Sequence, residues 1–148
     1  MAEFKKLDEN FTVSTQMTKA DFAEAAQMGV KTIICNRVEG EEAGQPLNIT
    51  MMSNAAEHDM DFAALPVGGT FPIEEAGELA KLLRETSDPI HGYCKSGTRS
   101  AMLWGLAVAL NRSKTPNEIM AITSAAGFDL SNIEPAFHQF YESAQRKQ

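Results

Sequence analysis

The chain of 148 residues has 43% hydrophobic residues and sets 13 lysines and arginines against 20 aspartates and glutamates, a formal charge of −7. That is enough apolar material for one domain with a core of its own, so a single domain over residues 1–148 is expected. So acidic a surface excludes nucleic acid and anionic membrane as general partners and leaves room only for a local positive pocket.

Phe4–Leu7 and Phe11–Thr15 alternate apolar and polar residues about the turn-forming Asp8-Glu9-Asn10, which predicts two short strands or a hairpin. Thr18 is a good N-cap for a helix over Lys19–Met28, with Phe22, Ala25 and Ala26 at helical spacing and Gly29 at its stop. Val30–Cys35 contains the run Thr32-Ile33-Ile34 and predicts a strand buried on both faces, as in a parallel sheet. Asn36-Arg37 end it, and Glu39–Pro46 read as loop. A helix over Leu47–Glu57 should bury Leu47, Met51, Met52, Ala55 and Ala56, and a strand follows at Phe62–Val67. After the Gly68-Gly69-Thr70 loop, Ile73–Arg84 predicts a helix whose inner face is Ile73, Ala76, Leu79, Ala80 and Leu83.

Pro89–Tyr93 is an extended apolar run, and Arg99–Leu110 is a helical run with hardly a polar residue. Apolar all round but only about three turns long, that helix must be central and buried. Thr115-Pro116-Asn117-Glu118 is a capping box with proline at the first helical position, opening a helix that stops before Gly127. Ser131 or Glu134 caps a last helix through Phe137, Phe140 and Tyr141, and the tail Gln145–Gln148 is expected to fray. Strands and helices alternate to Leu110 and helices alone follow. This predicts an α/β fold with a central, mostly parallel sheet flanked by helices and a helical C-terminal half.

Between the Pro89–Tyr93 strand and the Arg99 helix lies Cys94-Lys95-Ser96-Gly97-Thr98-Arg99-Ser100. A tight loop running into a helix start turns backbone N–H groups inward, and the helix adds roughly half a positive charge there, so the segment forms a cradle for an oxyanion. Cys94 sits at its base. With Arg99 and Lys95 nearby its thiol should be acidified into a nucleophile, while Lys95, Ser96, Gly97, Thr98 and Ser100 bind the anion. Placed at the C-terminal end of a strand, the loop occupies the position where open α/β sheets bind ligands.

Other chemistries find little support. Cys35 and Cys94 are too few for a disulfide framework, no cysteine–histidine spacing suits zinc, and His58, His91 and His138 are scattered and read as structural or exposed; no metal or cofactor is expected. No apolar run approaches the roughly 20 residues of a membrane span, and Met1–Lys6 lacks a signal peptide's apolar centre, so a cytoplasmic protein is expected.

Val13-Ser14-Thr15-Gln16-Met17 before a helix, Gly29–Arg37 with acidic residues after it, Leu65-Pro66-Val67 and Tyr93–Ser100 together resemble the small bacterial beta-lactamase-hydrolase-like, phosphatase-like domains. The similarity runs from about Phe11 to Leu110. It implies the cysteine-dependent dual-specificity phosphatase fold, with Gln16, Arg37 and Cys35 as candidates to support the site from behind. It also implies that such a domain occurs alone or fused to a persulfide dioxygenase, which is therefore a candidate partner. Cys35, at the end of a neighbouring strand, is expected to be able to resolve an oxidised Cys94, as in some phosphatases of the superfamily.

Two departures from the phosphatase pattern shape the functional expectation. Four residues separate Cys94 from Arg99, one fewer than is usual in cysteine phosphatases and similar to rhodanese-type sulfurtransferases, and Tyr93 replaces the usual histidine. The stretch Val67–Pro72, where a phosphatase carries its general-acid aspartate, has no acid; Asp59 and Asp61 belong to the other end of the strand, and Glu74 and Glu75 to a helix start. The leading expectation is a sulfurtransferase. Cys94 would take sulfane sulfur from a small anionic donor such as thiosulfate and pass it to cyanide or a thiol such as glutathione, with Arg99 holding the anion and the Ser96 or Ser100 hydroxyl bonding the thiolate. The alternatives are a phosphatase acting on a phosphate ester, with water, Glu39, Glu41 or Glu74 as the acid, and a redox- or anion-sensing module without turnover.

Overall fold

Phe4–Asp8 (β1) and Phe11–Ser14 (β2) form the expected antiparallel hairpin, with Phe4 opposite Ser14 and an irregularity between Lys6 and Asp8. Lys19–Gln27 (α1) follows; the N–H and hydroxyl of its N-cap Thr18 both donate to Asp21, and Gly29 takes the left-handed φ of 87° that ends the helix. Thr32–Cys35 (β3), Asn48–Ala56 (α2) and Asp61–Ala64 (β4) come next, then Ile73–Glu85 (α3), Ile90–Tyr93 (β5), Thr98–Leu110 (α4), Pro116–Ala125 (α5), a 3₁₀ turn at Ser131–Ile133 and Glu134–Arg146 (α6). This computed structural model describes residues 2–146. Lys147 and Gln148, the end of the tail expected to fray, lie outside the described residues, and α6 is helical through Arg146.

The chain forms two compact units. The first takes residues up to 71 together with 88–100, and the second takes 72–87 and the residues from 101 onward. The first holds a single five-stranded sheet in the order β1-β2-β5-β3-β4, in which every pairing except the β1–β2 hairpin is parallel. As expected, β3 and β5 are parallel neighbours, Cys35 being opposite Tyr93. Both are buried along their whole length. In the second unit, α4 buries Leu103, Trp104 and Leu106. Gly105 lets the helices of that unit approach closely, since a Cβ there would lie 2.7 Å from the Phe137 ring and 2.9 Å from Ile119. The capping box of α5 forms in both directions between Thr115 and Glu118.

Four side chains expected inside face solvent: Leu47 and Met52, 57% and 50% exposed, Ala56, and Ile73, 64% exposed. Because α2 starts only at Asn48, Leu47 is its extended N-cap, and the buried stripe becomes Met51, Asn54 and Ala55, with Met52 turned about 100° away. Ile73 is the first residue of α3, ahead of the buried Ala76, Leu79 and Ala80. The strand expected at Phe62–Val67 ends at Ala64, because Pro66 has no N–H to give a ladder; Leu65 and Val67 still donate to Cys35 and Asn36 carbonyls at 2.9 and 3.0 Å.

Two buried polar groups fix the sheet. His91 on β5 stacks on Phe4, ring centroids 4.3 Å apart, with Nε2 2.7 Å from Ser14 Oγ and Nδ1 2.7 Å from Thr12 Oγ1. Ser14 Oγ donates its own proton to the Thr15 carbonyl, so it accepts from His91 Nε2–H, and Nδ1 accepts from Thr12; the ring is neutral, its pKa pushed down to about 3 by burial. At the strands' C-terminal edge, the buried Asn36 donates its N–H to Tyr93 O at 2.9 Å and its Nδ2 to Leu65 O at 2.8 Å, and its Oδ1 accepts from Ser100 Oγ at 2.7 Å. One amide thus ties β3, β5, the Leu65 segment and the first turn of α4.

Two outcomes follow. Between the unfolded histidine pKa of 6.5 and the folded value of about 3, the unfolded state binds more protons, so stability rises with pH across that window and is lost as pH falls, by roughly 1.4 kcal/mol per unit at most. Glu41, held at about 2, loses its contribution only below about 4.5. Unfolding free energies from urea titration should therefore be roughly 1–2 kcal/mol lower at pH 5 than at pH 7, and equal values would contradict the neutral buried ring. Asn36→Ala strands the buried Ser100 hydroxyl and Leu65 carbonyl, and should cost about 2–4 kcal/mol in the same assay.

Candidate active site

Strand β5 delivers Cys94 to the sheet's C-terminal edge, where its N–H donates to Ser14 O at 3.3 Å and its side chain is buried. The chain then doubles back. Gly97 adopts φ 92°, a left-handed value that favours glycine, and this turn aims its N–H at Cys94 Sγ, 3.0 Å away. Helix α4 begins one residue later, at Thr98, so the sulfur faces both an amide donor and the positive end of a 13-residue helix.

Arg99, in the first turn of α4, is held from outside. Its Nη1 donates to Glu41 Oε1 at 2.8 Å and to Val67 O at 3.0 Å, and its Nη2 donates to Glu41 Oε2 at 2.6 Å. That uses three of five guanidinium hydrogens and leaves the Nε–H and the second Nη2–H as the two-pronged donor for an oxyanion. The charge of the same guanidinium acts on the Cys94 side chain. Arg99, and after it Arg37, holds the Glu41 carboxyl down at about 2, so Glu41 is ionised throughout the neutral range.

Arg37, at the end of β3, is only 3% exposed on its side chain and closes the network from behind. Its Nε donates to Glu41 Oε2 at 2.9 Å, its Nη1 to Gln16 Oε1 at 2.8 Å and its Nη2 to Glu42 Oε1 at 3.4 Å. Lys95 turns outward to pair with Glu42, whose carboxyl it pulls below the usual range. Cys35 bonds the Arg37 carbonyl at 3.8 Å and contacts the Tyr93 hydroxyl, and burial pushes its thiol up; both cysteines are free and buried.

The structure thus brings Cys94, Gly97 and Arg99 together, with Gln16 and Arg37 behind them, and redirects several expected roles. Ser100 gives its proton to Asn36, and Ser96 Oγ donates to Thr98 Oγ1 at 3.1 Å, so the sulfur's donor is the Gly97 amide and neither serine hydroxyl. Asp61 opens β4 opposite Thr32, at the sheet end away from Cys94, and Asp59 precedes it; Glu74 and Glu75 lie in the first turn of α3. Glu39 accepts from the Asn48 N–H at the start of α2. Sequence reasoning missed the ties made by Asn36 and the bracing role of Glu41 and Glu42. The available signal was Arg37 ending a buried strand with two glutamates four and five residues on, since a buried arginine demands a carboxylate. Among the described residues no group of three or more His, Cys, Asp or Glu could hold a metal, and no helix is long and apolar enough to cross a membrane.

This is a buried thiol facing an amide, a helix N-terminus and a braced guanidinium, an arrangement suited to attack on an anionic centre through a covalent cysteinyl intermediate. A beta-lactamase hydrolase-like protein of Agrobacterium fabrum is 33% identical over 126 residues, which is 84% of this chain but 29% of that protein, so the chain spans less than a third of its length. The crystal structure of a putative phosphatase from Neisseria meningitidis Z2491 is 33% identical, with a TM-score of 0.79 over 92% of this chain and 96% of that one. PTPMT1 in complex with PI(5)P is similar in fold alone, at 13% identity and a TM-score of 0.78 over 97% of each chain. With residues 3–111 matching the family described as "Beta-lactamase hydrolase-like protein, phosphatase-like domain", the chain belongs to that family of cysteine-dependent, phosphatase-like domains.

Proposed function

We propose that the chain hydrolyses phosphate monoesters through a cysteinyl-phosphate on Cys94. The observation that carries this reading is the braced Arg99 fork beside a sulfur that already accepts the Gly97 N–H, in a fold shared with a putative phosphatase at 33% identity. Cys94 Sγ attacks phosphorus, the bond from phosphorus to the ester oxygen breaks, and the leaving oxygen departs with the electron pair. Water then attacks the phosphorus, expels the thiolate and releases inorganic phosphate. Arg99 and the loop amides hold the non-bridging oxygens through both steps.

Among the described residues of the first unit, no carboxylic acid beside Cys94 is free to protonate the leaving oxygen. Glu41 is ionised and held by two arginines, Glu39 is committed to α2, and Val67–Pro72 carries no acid. Solvent must supply that proton, so the substrate is an ester whose leaving group is already a stable anion, such as an aryl phosphate. A general acid contributes roughly 10²–10⁴ in rate, and that is the penalty expected for alkyl esters.

The same missing acid and the four-residue loop favour a second reading, sulfur transfer. Cys94 would attack the outer sulfur of thiosulfate, the S–S bond would break with its pair leaving on sulfite, and the resulting persulfide would pass its sulfur to cyanide or a thiol such as glutathione. Sulfite, like an aryloxide, needs no proton to leave.

Phosphate release from a series of aryl phosphates of rising leaving-group pKa, measured beside thiocyanate formation from thiosulfate and cyanide, tests both. The expected result is Cys94-dependent phosphate release that falls steeply along the series, is lost in Cys94→Ser and is weakened in Arg99→Lys, where a point charge replaces the planar fork. Efficient thiocyanate formation without phosphate release would transfer the assignment to sulfur chemistry, and a flat series would reveal an acid that the geometry does not provide.

A further inference from the structure

The loop after β3 sets two carboxylates against the three cations of the site, and their sharing is uneven. Glu41 takes both Nη groups of Arg99, and a guanidinium matched by one carboxylate forms a neutral pair, a poor partner for an incoming anion. Arg37 alters that balance. Its Nε donates to the same Oε2 that accepts from Arg99 Nη2, at 2.9 against 2.6 Å, so one carboxylate charge is divided between two guanidiniums. Glu42 is divided in the same way between Lys95 and the longer contact to Arg37. Three cations against two carboxylates leave the cluster one net positive charge. Glu39, the third acid of the loop, faces the N-terminus of α2 at Asn48.

We infer that Arg37 is a positioning residue of the anion cradle: it offsets the charge of Glu41, so that Glu41 can fix the plane of Arg99 without neutralising it. A surface lysine could not do this, because side-chain freedom and solvent would dilute its effect. Arg37 has neither freedom nor solvent, being buried and anchored at Nη1 by Gln16. Gln16 is itself oriented by donating Nε2 to Met17 O at 3.2 Å. The chain Gln16, Arg37, Glu41, Arg99 thus runs from the β2–α1 connection to the start of α4, with a carboxylate between two fixed cations.

The inference rests on the cradle assigned above, and its test separates the two. Binding is measured in the Cys94→Ser background, where turnover does not intervene, by titrating inorganic phosphate and thiosulfate at low ionic strength. Arg37→Met should weaken phosphate binding roughly tenfold, since it removes the surplus charge. Glu41→Gln weakens the Arg99 brace while adding a net positive charge, so it serves as the partner for a double variant. The double variant Arg37→Met/Glu41→Gln restores the original charge and should bind phosphate more tightly than Arg37→Met alone, though short of the parent because the Arg99 brace is weakened.

A merely structural role for Arg37 gives the opposite pattern, a double variant as weak as Arg37→Met or weaker, and that result overturns the inference. So does an Arg37→Met protein that binds as tightly as the parent. Thermal melts accompany each variant, and if Arg37→Met does not fold, Arg37→Lys decides, because it keeps the positive charge and roughly tenfold weaker phosphate binding there contradicts the charge argument. A Cys94→Ser parent that takes up neither phosphate nor thiosulfate is a different failure, which overturns the cradle itself.

Discussion

Everything at this site depends on the position of one helix start relative to one strand end, and the side chain of Asn36 fixes it. Its amide donates to the Leu65 carbonyl and accepts from Ser100, while its backbone N–H takes the Tyr93 carbonyl. These bonds are buried, where leaving a partner unpaired costs about 1–3 kcal/mol, so the alternatives are expensive and the arrangement is single-valued. With Tyr93 and Ser100 both tied to the same residue, the intervening loop has little choice of path. The left-handed Gly97 closes it, and its amide falls on Cys94 Sγ.

Charge follows from that geometry. A chain with a formal charge of −7 must make a local positive surface to receive an anion, and it does so by concentrating Arg37, Lys95 and Arg99 around the sheet edge. The acidic loop then has two effects. It braces Arg99 in a fixed plane, and it holds the field to a small positive surplus. A site of this kind suits a compact anionic centre carrying a stable leaving group, because its two described carboxylates, Glu41 and Glu42, are paired with cations. Phosphoryl transfer from an aryl ester and sulfur transfer from thiosulfate both meet that description, and the family relationship and the 33% identical solved neighbour favour the first.

Much of this was legible in the order of residues. The β-branched run of β3, the apolar β5 and the glycine-bearing loop between a cysteine and an arginine follow from short-range rules. The parallel β3–β5 pairing and the cradle come from combining them, while the full sheet order comes from the structure. Where periodicity misled, the reason was local. At Leu47, Met52 and Ile73 a helix start or a shift of one residue moved an apolar side chain from the inner face to the outer.

The sequence by itself determined the family, the α/β class and the cysteine and arginine that the proposed site is built on, because each is written in contiguous residues whose backbone preferences and chemistry act over a few positions. Only the tertiary structure decided which partner each polar group takes. It gave Ser100 to Asn36 rather than to the sulfur, tied Arg99 to Glu41 across 58 positions of sequence, and buried Arg37 against Gln16, 21 positions away. Such pairings depend on distances that no local pattern encodes, since hydrogen bonds and ion pairs act over a few ångströms in space and the fold alone sets which residues come that close.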